Sequence, residues 1–462
     1  MSIQQSAPGR AALSGKTVAV VHPAWHSCGT HQVIASQIKA YKKLGARVIS
    51  IALMDDVTPS IGRGERWKNY RLHSRDLAAD ERYESSASIA DLFKTTLLKD
   101  GWLPLIHGDH ATWLVELVKR APLPEKLDTV SIDLIHANHF FVMPFVERMR
   151  ARRRIPVVLD THDIQARQYE LRNRAGFSLP PHARYNSMLA VELDWIGRAD
   201  LCIHLNSEEY ATFGQLLPHS RHALIYPSIA PVRAGFDGAQ AIFVAANNAA
   251  NYISVRWFLK YIVPHAPGIS LSIYGDIADG VKRRDRPLYE KHRTLFRGRI
   301  ADIESAYADA AMVLLPTREG HGLSIKTMEA LSSGLPIVAT SKAFRGMDID
   351  SSRLRNVYIA DDASEFAAAM LECRAAIERS DSAASDTRAL YDEEYSLERF
   401  ARRLGDVAGK LMASARCTPL DAGARRSATG AWTDPARRRS PADWSTRATG
   451  DETPIRRKNP HP

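Results

Sequence analysis

The order of apolar and polar positions divides the chain into two series of short apolar runs alternating with helical patterns. Thr17-Val18-Ala19-Val20-Val21-His22-Pro23 is a β-branched run closed by proline, which predicts a buried strand. A loop with Trp25, His26, Ser27, Cys28 and Gly29 follows. From about His31 to Leu44, residues Val33, Ile34, Ile38, Tyr41 and Leu44 recur on one helical face, and Gly45 stands where a helix C-terminus favours glycine. Arg47–Leu53 reads as the next strand. Strand–helix–strand order implies a parallel sheet covered by helices. Leu134-Ile135-His136, Val157–Asp160 and Leu201–Leu205 read as further buried strands, the last after a helix that contains Glu192 and Trp195.

Pro227, Pro231, Gly235 and Gly238 then interrupt the periodicity, which predicts a linker over 226–240. The second series has strands at Ile242–Ala245, Ser270–Tyr274, Met312–Pro316 and Ile337–Thr340. Its helices are expected at Ser254–Val263, Ser324–Ser333 and Ala363–Glu378, with a closing helix over 396–415. The expected organisation is thus one α/β domain at 15–225, a second at 241–395, and a disordered basic tail at 416–462. Ligands of doubly wound sheets bind at the carboxyl ends of the strands, which here means a cleft between the domains.

Composition narrows the class. Of 462 residues, 45% are hydrophobic and 25% charged, the ordinary globular range. No stretch approaches the roughly 18–20 uninterrupted apolar residues of a membrane span, and the N-terminus lacks the apolar core of a secretory signal. A cytoplasmic protein is expected. Cys28, Cys202, Cys373 and Cys417 form no CxxC pair, consistent with reduced thiols. The net charge is +10, of which the nine Lys/Arg and five Asp/Glu from Cys417 onward supply +4. That balance does not require nucleic acid, and no nucleic-acid partner is expected. The 17 histidines include His22, His26 and His31, and His136 and His139, but no HExxH spacing, so no metal site is expected.

The chemistry concentrates in Glu319-Gly320-His321-Gly322-Leu323-Ser324-Ile325-Lys326-Thr327-Met328-Glu329. Two glycines fall between a strand and a helix, where backbone N–H groups and the helix N-terminus can cradle an anion. Lys326 lies in the first helical turn, where a cation opposes the helix dipole unless an anion is bound. Glu329 shares its face, in reach of a sugar hydroxyl. The residues also allow a plain tight turn with a surface Lys326–Glu329 ion pair, and on their own they leave both readings open.

This segment resembles the signature of retaining GT-B glycosyltransferases of glycosyltransferase family 4, also called glycosyl transferases group 1. Gly320, Gly322, Lys326, Glu329, Ala330, Gly334, Pro336 and Val338-Ala339-Thr340 stand in the family's register. Phe243-Val244-Ala245, Gly275-Asp276, Phe296-Arg297-Gly298-Arg299, Tyr307-Ala308-Asp309-Ala310, Pro156–Asp163 and Arg198-Ala199-Asp200 are similar to further landmarks, so the likeness spans roughly Gly15 to Met412. It implies two Rossmann-like doubly wound domains facing a cleft, the GT-B arrangement. The first domain would bind the acceptor and the second the nucleotide-sugar.

The implied activity is transfer of a sugar from a nucleoside diphosphate, UDP or GDP, to a hydroxyl acceptor in glycan or polysaccharide assembly. Retention is implied, with no metal or other cofactor, since cationic side chains neutralise the leaving diphosphate. Carried over, Lys326 touches the diphosphate, Glu329 the ribose, and Gly320, Gly322, Leu323, Ser324 and Asn247 complete the donor site. His162 faces the sugar or leaving group. Where relatives carry a first Glu this chain has His321, with Glu319 two residues earlier, and either could meet the sugar. The basic pair that relatives place after the second domain's first strand is missing, so Arg256 or Lys342 is expected to help Lys326. The acceptor is expected to be a glycan or lipid-linked. Peripheral membrane contact through Arg148, Arg150, Arg152, Arg153 and Arg154 stands beside the plain reading of a solvated helix end. A binding protein without transferase activity and a nucleotide-sugar epimerase of the same shape are the alternatives.

Overall fold

The computed structural model describes residues 12–417 other than 27, 56–62, 152, 236–237, 301 and 380–385. The expected tail therefore lies, from residue 418 on, outside the described residues.

Seven strands form the first sheet: β1 (Thr17–Pro23), β2 (Arg47–Leu53), β3 (Glu81–Ser85), β4 (Leu134–Asn138), β5 (Val157–Asp160), β6 (Leu201–His204) and β7 (His222–Leu224). Their spatial order is β3-β2-β1-β4-β5-β6-β7, and every pairing is parallel. Six more form the second: β8 (Gln240–Val244), β9 (Leu271–Tyr274), β10 (Phe296–Gly298), β11 (Ala310–Leu315), β12 (Ile337–Ala339) and β13 (Val357–Ile359). These are also all parallel, in the order β10-β9-β8-β11-β12-β13. Each sheet reverses its winding at its first strand, so each has a switch point there, beside β4 and β11 respectively.

Strand period explains the continuous apolar runs. In β1, Ala19 and Val21 pack into one core with Trp195 and Phe213, while Val18 and Val20 pack into the opposite core with Ile34, Ile38 and Tyr41. In β11, Met312 and Leu314 face Phe258 and Phe366, and Val313 and Leu315 face Met328 and Tyr391. Both faces of each sheet are thus buried, as parallel sheets require.

The nine strands read from the sequence are the interior ones. The four edge strands, β3, β7, β10 and β13, escaped it: they are short and incompletely buried, and the first three carry polar residues such as Glu81, Arg82, Glu84, His222 and Arg297. Polar edges are how sheets resist pairing with other chains. The helix expected at Ser254 starts at Ala249, because Asn248 Oδ1 accepts the Asn251 N–H at 2.9 Å and caps it.

Among the described residues of 226–239 there is no helix, and part of the segment lies against the second sheet. Ile229 and Val232 are buried there; Tyr391 Oη donates to Ile229 O at 2.6 Å, and Val232 N donates to Ser332 Oγ at 3.0 Å. The closing helix, Leu397–Cys417, returns to the first domain. Phe400, Ala401, Leu404, Ala408, Leu411 and Met412, spaced along one helical face, share a core with Ile34, Ile38 and Tyr41 of the Gly29–Lys43 helix. Lys43 Nζ donates to Glu398 Oε1 at 2.8 Å beside it.

The arginines of the 148–154 run hold their own domain together. Arg148 donates to Lys119 O and Ala121 O, Arg150 pairs with Asp200 at 3.0 Å, and Arg153 donates to Val130 O and Asp128 O. Arg152 lies outside the described residues.

Leu404 is fully buried, so Leu404→Ala should cost about 3 kcal/mol through lost contacts and a residual cavity. Denaturant unfolding should show a lowered midpoint; an unchanged one would mean the helix does not stabilise the first domain.

Candidate active site

The carboxyl-end loops of the two sheets face each other across a cleft of about 1480 Å³. The walls approach closely where glycine permits it: a Cβ on Gly29 would stand 2.8 Å from Ile325 Cγ1, and one on Gly322 would stand 3.2 Å from Asp163 Cβ. Ser207 N donates to Gly346 O at 2.9 Å, a further tie between the domains.

On the second-domain wall, the loop after β11 turns through Gly320 (φ +138°) and Gly322 (φ +69°), conformations that favour glycine. Ser324 Oγ caps the Ile325–Ser333 helix by accepting the Thr327 N–H. Lys326 Nζ donates to Asn251 Oδ1 at 2.5 Å and lies 5.6 Å from the Phe243 ring centre. Burial, reinforced by Arg345, pulls its pKa down to about 7. Arg345 donates through Nη1 to Lys342 O and through Nη2 to His321 O, while its enclosed Nε has no partner among the described residues. Burial lowers its pKa as well. Glu329 accepts from Gln32 Nε2 of the first domain at 3.2 Å, and burial raises its carboxyl to about 6. The arrangement holds two desolvated cations beside a glycine turn and a helix N-terminus, which is a site for an anion.

On the first-domain wall, the only two non-glycine residues with positive φ among the described residues, His139 (+69°) and His162 (+59°), stack with ring centres 4.3 Å apart. Strained backbone held by its surroundings is a mark of functional sites. Asn138 Nδ2 donates to Val21 O at 3.4 Å, which turns its Oδ1 to accept from His162 Nε2 at 2.8 Å. His162 therefore carries its proton on Nε2 and keeps Nδ1 as an acceptor. Burial, then the neighbouring His139, His136 and His22, hold it neutral. Asp160, raised by burial to about 7, accepts the His162 N–H at 3.1 Å and Gln37 Nε2 at 2.7 Å.

The turn after His162 leads into the Gln165–Arg174 helix, whose first amides are capped from a distance. Glu192 accepts the Gln165 N–H at 2.9 Å and the Ala166 N–H at 3.2 Å, and Glu209 accepts the Ile164 N–H at 3.3 Å. At the far end of that helix, Arg174 pairs with Glu319 across the cleft at 3.1 Å.

His162, Glu319, Gly320, His321, Gly322, Leu323, Ser324, Lys326 and Glu329 all line the cleft. Asn247 does not: its backbone N–H donates to Asp276 at 2.6 Å, and its enclosed Oδ1 lies against Gly280. Asn248 and Asn251 line the cleft in its place. Arg256 is turned to Asp285, at 3.5 Å, and neither it nor Lys342 reaches the cleft; Arg345 is the second cation. Sequence reasoning missed Arg345, Asn138 and His139. Arg345 had one signal, a basic residue directly before Gly346 just past a buried strand. Burial and surrounding cations pull His321 down to about 4, so it is neutral at pH 7. Among the described residues, no three His, Cys, Asp or Glu side chains gather as a metal site would require. No described helix is long and apolar enough to cross a membrane.

Residues 239–375 match the family model for glycosyl transferases group 1. No curated protein matches the chain. Among solved structures, the chain is similar to sucrose-phosphate synthase from Thermosynechococcus elongatus at 14% identity, covering 86% of this chain and 100% of that one with a TM-score of 0.60. It is similar to HepE from Anabaena in complex with UDP and glucose, at 14% identity over 86% and 100% of the two chains and a TM-score of 0.55. TarM, from S. aureus, gives 10% identity over 86% and 99%, with a TM-score of 0.58. The fold is that of GT-B glycosyltransferases. The family match covers the wall that carries Lys326, Glu329 and Arg345.

Burial raises the Glu192 carboxyl to about 8, against about 4.3 for an unfolded chain. The folded state thus holds a proton that the unfolded state releases, and stability from this group is complete below about pH 4 and lost as pH rises through 8. Glu192→Gln keeps an acceptor oxygen without the titration. Its melting temperature relative to the native protein should climb between pH 5 and pH 8; a constant difference would contradict a buried neutral carboxyl.

Proposed function

We propose that the protein transfers a sugar from a nucleoside diphosphate to a hydroxyl acceptor, with retention and without a metal. The observation that carries this is the convergence of Lys326 and Arg345 on the Gly320–Ser324 turn and the Ile325–Ser333 helix N-terminus, at the second sheet's switch point. A diphosphate placed there meets backbone N–H groups, a helix dipole and two cations whose burial is unfavourable until an anion arrives. In the reaction the bond from the sugar's anomeric carbon to the diphosphate breaks, and negative charge grows on the leaving oxygen. The same two cations stabilise that charge, which is the role a metal would otherwise take.

On this reading Glu329 binds the ribose and His162 Nδ1 accepts from a hydroxyl of the donor sugar, with Glu319 or His321 beside it; that all four line the cleft supports it. Retention requires the acceptor to enter on the face the diphosphate leaves, between the walls. We assign nucleotide-sugar binding to 241–395 and acceptor binding to 15–225, with 226–240 linking them. UDP is the favoured nucleotide, because HepE was solved with UDP-glucose and a trehalose-6-phosphate protein of E. coli with UDP-2-fluoro glucose. The acceptor is a glycan or a lipid-linked glycan, and the setting cytoplasmic.

Thermal-shift titration with UDP, GDP, ADP and TDP, without added metal, tests the donor site. One nucleotide, expected to be UDP, should stabilise the fold by about 2.7 kcal/mol at a hundredfold excess over Kd, and Lys326→Ala should weaken binding and so reduce the shift at the same concentration. No response to any of the four would overturn the reading, and turnover with any acceptor would remove the binding-only alternative.

The Lys326 pKa of about 7 adds a pH signature. A bound diphosphate favours the charged ammonium and raises that pKa, so binding takes up a proton. The Kd for UDP should therefore rise more than tenfold between pH 7 and pH 9, and the rise should vanish in Lys326→Met.

A further inference from the structure

Three carboxyl groups meet at the start of the Gln165–Arg174 helix, and two of them serve its amides. Glu192 and Glu209 reach over from the Tyr185–Ile196 and Ser207–Leu216 helices to take the N–H groups of Gln165, Ala166 and Ile164. An acid just ahead of a helix ordinarily does this itself, and Asp163 stands there. Its oxygens accept from side chains instead, Oδ1 from Gln165 Nε2 and Oδ2 from Gln168 Nε2 at 2.8 Å. The backbone turns Asp163 outward. His162 holds its positive φ, Asp163 N donates to Thr161 O at 2.7 Å, and after this tight turn Asp163 lines the cleft. There it faces the Gly320–Ser324 turn of the opposite wall: a Cβ on Gly322 would stand 3.2 Å from Asp163 Cβ and 3.9 Å from its Oδ2.

The other carboxylates that line the cleft among the described residues are committed elsewhere. Asp276 pairs with Arg299 at 3.0 Å, and Glu319 with Arg174 at 3.1 Å. Asp302 Oδ1 accepts the Glu304 N–H at 3.0 Å, and Glu329 accepts from Gln32 at 3.2 Å beside Lys326. Asp163 differs, because neutral carboxamides hold both of its oxygens and each oxygen keeps a further lone-pair site. Burial raises its carboxyl above the ordinary range, against the pull of Gln168, Gln165 and Arg172, which makes it a stronger proton acceptor than an exposed carboxylate. Glu192 and Glu209 are fully buried and raised as well, Glu192 to about 8, so the negative charge of the trio rests on the half-buried Asp163.

We propose that Asp163 is the catalytic residue that accepts the proton of the attacking hydroxyl. This rests on the reading of a retaining sugar transfer, in which the acceptor enters on the face the diphosphate leaves. A base for that hydroxyl must then stand at the diphosphate's turn, and Asp163 is the first-domain carboxylate that faces the turn. The acceptor oxygen bonds to the anomeric carbon while its proton passes to the Asp163 carboxylate. The bond from that carbon to the diphosphate breaks, and its electron pair stays on the diphosphate oxygen. The proton leaves to water with the products, which restores the carboxylate.

The full chain with UDP-glucose tests this without a known acceptor, since water can take the acceptor's place. UDP release should fall about a hundredfold or more in Asp163→Asn and in Asp163→Ser, while both variants bind UDP as well as the native chain. The serine variant is included because a new amide would meet the Gln165 and Gln168 donors. Azide has no proton to lose, so adding it should restore turnover in the variants, with glucosyl azide as product. Unaltered UDP release in the variants would overturn the proposal and give the proton to the diphosphate itself. Lost release that azide does not restore, with UDP binding intact, would also overturn it and leave Asp163 a positioning residue. Unfolding of both variants would overturn it too, making Asp163 a structural group. A native chain that releases no UDP with water or azide would overturn the transfer reading, and the proposal with it. That failure shows in the native chain, whereas failure of the proposal alone shows only in the variants.

Discussion

A parallel strand can follow another only through a crossover that covers one face of the sheet, and every strand pairing among the described residues is parallel. That constraint sends all carboxyl-end loops of each sheet to one edge. The chain then closes by a helix that leaves the second domain and packs on the first, so the two loop-bearing edges are held opposite each other. The cleft, its glycine contacts and its pairings between walls, Gln32 with Glu329 and Arg174 with Glu319, all follow from that geometry.

Within the cleft the walls are built on different electrostatic principles. The second-domain wall buries Lys326 and Arg345, and burial lowers the pKa of both. The first-domain wall buries groups held neutral: His162, His139 and His136 below their usual range, and Asp160 and Glu192 above theirs, all chiefly by desolvation. Around His162 the first-domain wall is neutral and hydrogen-bonded, and there it can orient sugar hydroxyls without competing for the diphosphate. His162 shows how this is done, since Asn138 fixes its tautomer and the stack on His139 fixes its plane.

The fold was legible in the sequence wherever burial on both faces writes a continuous apolar run. That rule recovers β1, β2, β4, β5, β6, β8, β9, β11 and β12. It fails at β3, β7, β10 and β13, the edges of the two sheets, where one side has no neighbouring strand and the residues are incompletely buried. The Gly320–Glu329 segment was legible for a related reason: its turn, cap and helix are local, so the spacing of residues in the chain fixes their spacing in space.

By itself the sequence determined two α/β halves, their interior strands, the glycine turn and the positions of Lys326 and Glu329 on one helix. Local hydrogen bonding and side-chain period suffice for these. Only the tertiary structure decided that Asn247 turns inward while Asn248 and Asn251 reach the cleft, since adjacent residues at a helix start point in different directions. It also decided that Arg345, not Arg256 or Lys342, is the second cation in the cleft, that His139 lies under His162, and that His73 stacks on His26. Each of these joins residues far apart in the chain, and their approach depends on how crossovers and the closing helix bring the loops together, which no local pattern encodes.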